Sequence, residues 1–239
     1  KRAFHDIHQP EDLESAENAR QRLTFDEALL LQLLLGQRRA EIEKLSTKSR
    51  TPNTPVLVGA FEKLLPFEFT KGQLEVNAQI EMDLSRKYPM HRLLQGEVGS
   101  GKTVVALRAM LSVVDSSGQA ALLAPTEVLA QQHFRTITKL LGELALAGTL
   151  HSSGMGTQVE LLTGSLSNVK KKEIHARLAS GEIGIIIGTH ALISDGVAFK
   201  DLGLVVVDEQ HRFGVEQRDA LRMKAKQPPH LLVMTATPI

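Results

Sequence analysis

The sequence predicts an α/β fold, a central, mostly parallel sheet flanked by helices, with a helical segment in front of it. Three observations carry this. From about Phe61 onward, short β-branched and leucine-rich runs alternate with helical patterns, as in βαβ units. One such run leads into Gly96-Glu97-Val98-Gly99-Ser100-Gly101-Lys102-Thr103, a glycine-rich turn that opens a helix. Another, Leu204-Val205-Val206-Val207, is apolar on both faces and ends in Asp208-Glu209, as expected of a buried parallel strand. The composition agrees: 239 residues with 42% hydrophobic and 23% charged residues exclude a disordered or fibrous chain. Length predicts one large domain, or one domain with an appendage.

Residues 1–23 are polar and weakly patterned. The first helix is expected to start at Thr24, which has capping-box spacing to Glu27. Its run Leu29-Leu30-Leu31-Gln32-Leu33-Leu34-Leu35 is apolar around much of the helix. Such a helix either lies in a core or packs part of its surface on a domain outside this chain. Arg38, Arg39, Lys44 and Lys48, interleaved with Glu41 and Glu43, read as a solvated face. Thr51-Pro52-Asn53-Thr54-Pro55 is a turn-rich break. The expected organisation is a helical extension over 1–60 and an α/β domain over 61–239.

Within 61–239 the expected strands are 91–95, 120–124, 158–163, 183–188, 203–207 and 230–235. The expected helices are 72–86, 102–114, 126–141, 168–179 and 215–224. The helix after Pro125 is the clearest, since Ala130, Phe134, Ile137 and Leu141 share a face and Gly142 follows as a cap.

The glycine-rich turn matches G-x-x-x-x-G-K-[ST]. Its glycines let consecutive N–H groups converge on phosphate oxygens, and the helix N-terminus adds its dipole. Lys102 reaches the outer phosphates of a nucleotide, and the Thr103 hydroxyl suits Mg²⁺. Asp208 is placed to hold that metal and Glu209 to orient the attacking water, the minimum pair for metal-assisted phosphoanhydride hydrolysis.

Several strand ends carry weaker signals. In Leu232-Val233-Met234-Thr235-Ala236-Thr237, two hydroxyls end a strand and could bond to Gln210-His211. Ala124-Pro125-Thr126-Glu127 opens a helix and reads either as a plain N-cap or as a second anion site. The same two readings apply to Thr163-Gly164-Ser165 and Gly188-Thr189-His190. Gln73 has an amide that could read an adenine edge, or is a surface residue. Lys170-Lys171-Lys172 reads as a solvated helix face. None of the 9 histidines has another at i, i+4 spacing, which argues against a His-based metal site.

Partners are only loosely bounded. Net charge is +1, so any basic field is local. With no Trp and one Tyr, stacking of single-stranded bases on aromatic platforms is not expected. No apolar stretch reaches the ~18 residues of a membrane span, and no membrane partner is expected. Zero cysteines fit a reducing compartment. The chain begins with Lys rather than Met, which predicts an internal fragment.

In this order, at strand ends, the motifs GEVGSGKT, APTE, TGS, GTH, DEQH and TAT resemble the first RecA-like domain of a superfamily 2 helicase. The segment Val207 to Arg218, Leu65-Pro66-Phe67 with Gln73, and Pro89 to Gly96 are similar to the RecG family of bacterial branched-DNA helicases. So are His8-x-Pro10 and the stretch from Ala19 to Glu27, which resemble that family's link between DNA-binding wedge and motor. The transcription-repair coupling translocases share Arg212-Phe213-Gly214 but typically have Glu in place of Gln210 and Phe in place of Ser100.

The resemblance implies a RecA-like P-loop NTPase fold, with ATP and Mg²⁺ as cofactors. It implies branched DNA, replication forks and Holliday junctions, as the substrate of a cytoplasmic, monomeric motor. Gln73 would contact adenine. Gln210, His211, Arg212, Thr235 and Thr237 would couple hydrolysis to movement. Thr126, Glu127, Thr163, Gly164 and Thr189 would line the DNA track. The wedge and the second RecA-like domain, with its arginine finger, are expected outside this chain. Loss of such a finger costs on the order of 10³–10⁵ in rate, so the chain alone is expected to be nearly inactive. Three rivals stand: a P-loop ATPase that is no nucleic-acid motor, a catalytically dead binding module, and an RNA helicase. No residue here reads a 2′-hydroxyl.

Overall fold

The computed structural model describes residues 2–52, 54–145, 156–208, 221 and 223–236. It divides into two compact units, Lys1–Leu45 and Ser46–Ile239.

The first unit holds helix α1 (Arg2–His8) and helix α2 (Leu13–Glu43). Here the structure corrects the expected start at Thr24. The helix begins eleven residues earlier, where Asp12 caps it in a reciprocal box with Ser15. Strong helix formers such as Glu, Ala, Arg, Gln and Leu carry the polar stretch in helical form despite its weak pattern. Pairs four residues apart, Arg22–Asp26 and Arg39–Glu43, support its flank. The core-helix reading of the leucine run is also overturned. Leu29, Leu30, Leu31, Leu33, Leu34 and Leu35 are 43–61% exposed, and Ala19 is the buried residue of α2 among those described.

The second unit begins earlier than residue 61, the start expected from the break at 51–55. Polar anchors make the difference. The Thr47 hydroxyl donates to the Pro228 carbonyl at 2.6 Å, and Arg50 forks onto the Asp201 carboxylate at 2.8 and 2.5 Å. Helix α3 (Val56–Leu64) then buries Leu57, Val58 and Phe61. The Asp115 carboxylate accepts from the Leu57 and Val58 amides and so caps that helix.

Beyond it lie α4 (Lys71–Leu84), β1 (His91–Gln95), α5 (Lys102–Asp115), β2 (Gln119–Leu123) and α6 (Glu127–Leu141). There follow β3 (Gln158–Leu162), α7 (Asn168–Ser180), β4 (Ile183–Gly188), β5 (Leu202–Asp208) and β6 (His230–Thr235). The helix expected over 215–224 falls largely outside the described residues. The six strands form one sheet in the order β1-β6-β5-β2-β4-β3, and every neighbouring pair is parallel. β2, β4 and β6 are buried along their whole length, and β5 up to Asp208. This is why they read as unbroken apolar runs.

Alternate residues feed two cores. Ala120, Leu122, Ile185, Ile187, Leu204 and Val206 face a layer that includes residues of α3, α4, α5 and α6. Ala121, Leu123, Ile186, Val205 and Val207 face Ile174 and Leu178 of α7. Among the described residues no helix is long and apolar enough to cross a membrane.

One buried imidazole makes the fold acid-sensitive. His230 Nδ1 accepts from the Met90 amide at 3.0 Å, and Nε2 faces the Lys48 carbonyl at 3.4 Å. Burial pushes its pKa down to about 4; Arg50 and His91 push the same way, while the Lys48 carbonyl and Asp83 oppose them. The unfolded chain takes up this proton near pH 6.5, whereas the folded chain resists until about 4. Stability from His230 is therefore complete above about pH 6.5 and is lost as pH falls to 4, by on the order of 3 kcal/mol. The Arg50 guanidinium holds the Asp201 carboxyl down to about 2, which adds a second loss below pH 3.8. Urea midpoints are expected to fall from pH 6.5 to 4 in the wild type and to fall less in His230→Gln. A flat wild-type midpoint over that range would contradict the assignment.

Candidate active site

The six described parallel strands all point their carboxyl ends to one edge of the sheet, and those expected site residues that the structure describes lie at or beside it. β1 runs into the glycine-rich loop. Gly99 and Gly101 sit at φ of 85° and 83°, a left-handed backbone that a side chain disfavours. Gly101 is also the N-cap of α5, so the loop delivers its free N–H groups at that helix start. Lys102 folds back over the loop and donates to the Gly96 and Glu97 carbonyls at 2.7 and 2.8 Å. The Ser100 amide donates to the Glu97 carbonyl, which tightens the turn. Val98 projects outward, 90% exposed.

Gln73 lies against this loop, and both ends of its amide are engaged. Nε2 donates to the Ser100 carbonyl at 2.9 Å, and Oε1 accepts from the Thr70 amide at 2.9 Å in the capping box of α4. A Cβ on Gly101 would stand 2.5 Å from Gln73 Nε2, so that position is glycine for two reasons. β6 lies beside β1. The Thr235 carbonyl accepts from the Gly96 amide at 3.3 Å, where the strand pair runs into the loop.

β5 brings Asp208 to the same edge, mostly buried. Leu204 and Val206 face the α5–α6 layer, and the strand period turns Asp208 to that side as well. There Asp208 Oδ2 meets His133 Nε2 of α6 at 2.7 Å. An ionised carboxylate only accepts, so Nε2 carries the proton in this bond. Glu209, Gln210, His211, Arg212 and Thr237 lie outside the described residues.

β2, β4 and β3 complete the edge. Thr126 caps α6 by accepting from the Leu129 amide, the plain role that its residues allowed. Glu127 reaches across to the loop after β3. Its Oε1 accepts from the Ser165 amide at 3.0 Å and its Oε2 from the Ser165 hydroxyl at 2.6 Å. The Ser165 hydroxyl bond, with lesser help from the backbone and Lys171, holds the Glu127 carboxyl below its usual range. Lys171 Nζ donates to the Gly164 carbonyl at 2.6 Å, so this member of the lysine triplet braces the loop. The Thr163 hydroxyl shares a bond with Ser165, and Thr189 is buried at the start of a short 3-10 turn.

Residues 70–239 match the family model described as DEAD/DEAH box helicase. The chain belongs to the DEAD/DEAH box helicase family. Within that family it is 53% identical over 240 residues to the ATP-dependent DNA helicase RecG of Mycobacterium tuberculosis H37Rv, which is 99% of this chain and 32% of that protein. It is 46% identical over 235 residues to RecG of Bacillus subtilis, 98% of this chain and 32% of the relative. The chain thus spans about a third of the length of these curated relatives. A solved structure of RecG bound to a three-way DNA junction superposes with a TM-score of 0.82 at 38% identity, covering 99% of this chain and 30% of that one. The yeast DEAD-box splicing factor Prp28 shares the fold, with a TM-score of 0.57 at 18% identity over 82% of this chain and 48% of that one.

The structure therefore sets Gln73, the loop from Gly96 to Thr103, Thr235 and Asp208 on the β1-β6-β5 half of the edge. Thr126, Glu127, Thr163, Gly164 and Thr189 occupy the β2-β4-β3 half. Sequence reasoning missed His133 and the bracing roles of Ser165 and Lys171. Apart from His211 in the acid-box segment, it weighed histidines as mutual metal ligands, and His133 pairs with a carboxylate 75 residues away.

Proposed function

We propose that this chain is the ATP-binding half of a RecG-type motor, an ATP-dependent DNA helicase and double-strand translocase that remodels stalled forks and Holliday junctions. The observation that carries the reading is the division of one sheet edge. A phosphate loop and an acid strand end occupy one half, and three strand ends rich in small residues, hydroxyls and amides occupy the other.

On the first half, the loop amides and Lys102 hold the nucleotide phosphates, with phosphate oxygens taking the place of the Gly96 and Glu97 carbonyls. For the adenine edge, the Gln73 amide keeps a second N–H on Nε2 and a second lone pair on Oε1. The Thr103 hydroxyl and the Asp208 carboxylate are hard oxygen donors, which fits Mg²⁺. His133 engages Asp208 at Oδ2, which leaves Oδ1 without that partner and able to serve a cation. Bound there, Mg²⁺ would neutralise charge on the phosphates. Glu209 orients the attacking water. Gln210, His211, Arg212, Thr235 and Thr237 couple the nucleotide state to movement. On the second half, Thr126, Thr163, Gly164 and Thr189 face the DNA backbone, and Glu127 holds Gly164 and Ser165 in place. The motor works as a cytoplasmic monomer, and its second RecA-like domain supplies the arginine finger.

The test is ATP turnover by the full-length protein with and without forked DNA. Strong stimulation is expected. Turnover indifferent to any nucleic acid would overturn the reading and leave a P-loop ATPase of another task. Equal stimulation by RNA would favour the RNA-helicase rival.

A further inference from the structure

We propose that His133 is a positioning residue for Asp208, and that helix α6 joins the DNA-facing half of the sheet edge to the hydrolytic half through His133 at one contact and Glu127 at the other. The inference rests on the function proposed above.

The sheet order places β5 beside β2 and puts β3 at the far side of β4. α6 follows β2 and packs on β3 and β4. Two of its side chains leave in different directions. Glu127 and His133 are six residues apart, which at 3.6 residues per turn separates them by roughly 120° around the axis. Glu127 grips Ser165 beyond β3 with both carboxylate oxygens. His133 holds Asp208 at the end of β5 at 2.7 Å. Between and beyond them Ala130, Ile137 and Leu141 fasten the helix into the core with no exposed surface. A helix so anchored moves as one body, because close-packed interiors shift in discrete steps and do not deform smoothly. A phosphate drawing on the Gly164–Ser165 loop pulls on Glu127. The same rigid body carries His133, and with it the Asp208 carboxylate oxygen that His133 holds. The partner of a metal-ligating group fixes its orientation, and removal of such a partner typically costs about 10–100-fold in metal affinity or activity.

The contact differs from the coupling residues expected at Gln210, His211, Thr235 and Thr237. Of these the structure describes Thr235, the last residue of β6, whereas His133 lies on α6, the helix that follows β2.

The experiment uses the full-length protein and its variants His133→Ala, His133→Gln, Glu127→Ala and the double alanine variant. Thermal melting confirms that each folds. The first readout is independent of turnover: the Mg²⁺ concentration needed for half-maximal binding of a fluorescent ATP analogue. His133→Ala is expected to need about tenfold more Mg²⁺, and His133→Gln, which keeps a donor, to recover most of the loss. The second readout is the ratio of turnover with and without forked DNA. Each single alanine variant is expected to lower this ratio about tenfold. The double variant should fall no further, because the two contacts act in series. An unchanged Mg²⁺ requirement in His133→Ala overturns the positioning role. Losses that multiply in the double variant, or stimulated and unstimulated rates that fall by one common factor, overturn the relay. A wild type that forked DNA does not stimulate overturns the function itself and the relay with it. The Mg²⁺ titration still decides the His133 contact in that case.

Discussion

Lys102→Ala is expected to lower ATP turnover by the full-length protein by about 10²–10³-fold, the usual cost of losing one preorganised charge at a reacting phosphate or oxyanion. The ammonium sits over the loop, held by the Gly96 and Glu97 carbonyls, and Lys102 opens the helix whose free N–H groups point the same way. Removing it takes away the charge and leaves the cradle. The positive φ values of Gly99 and Gly101 set the loop's path independently of the lysine side chain. The melting temperature should therefore stay near that of the wild type while turnover collapses. Lys102→Arg is expected not to rescue. A planar guanidinium fork does not fill the place of a compact ammonium whose donors bend back onto two carbonyls. Steady-state turnover with saturating forked DNA decides the matter, and a Lys102→Ala rate within a few-fold of wild type would move the reaction away from this loop.

Phe61→Ala is expected to destabilise the 239-residue chain by about 3–5 kcal/mol. Phe61 has no exposed surface, and its helix packs chiefly on α5 beneath the sheet. The ring's removal leaves a cavity that backbone elements on both sides cannot close, since α3 is tied at its start to Asp115 and the preceding strap to Asp201. Leu30→Ala is the contrasting variant. Leu30 is 61% exposed on α2, and its loss is expected to change stability by no more than about 0.5 kcal/mol. Urea denaturation followed by circular dichroism measures both. A Phe61→Ala cost under about 1 kcal/mol would detach residues 46–64 from the core.

The two sets of leucines show where periodicity reads true and where it does not. In β2, β4 and β5, continuous apolar runs of four to six residues matched strands within one or two residues at each end. Burial on both faces is the one environment that such a run suits. The seven-residue leucine stretch of α2 carries the same apolarity without burial. Apolar character records what a segment can bury against, and the surface that answers it need not lie within the same chain. The start of α2 was hidden for a related reason. Asp12 and Ser15 form a cap as good as Thr24 and Glu27, and the choice between them depends on how far helix propensity extends through a polar run.

By itself the sequence determined what is local: the apolar strands, the glycine-rich loop that opens α5, the acid strand end, and the resemblance that names the family. Spacing along the chain suffices for these, because one turn or one strand holds every atom involved. Only the tertiary structure decided that Arg50 belongs to the second unit, that Gln73 braces the loop, and that Glu127 and His133 tie separate strand ends to one helix. Each of these is a bond between side chains or backbone far apart in sequence, 151 residues in the case of Arg50 and Asp201. Glu127 and His133 find their partners because the parallel sheet gathers its carboxyl ends on one side, whereas Arg50 meets Asp201 at the amino end of β5, and no pattern in the chain records which two groups will meet.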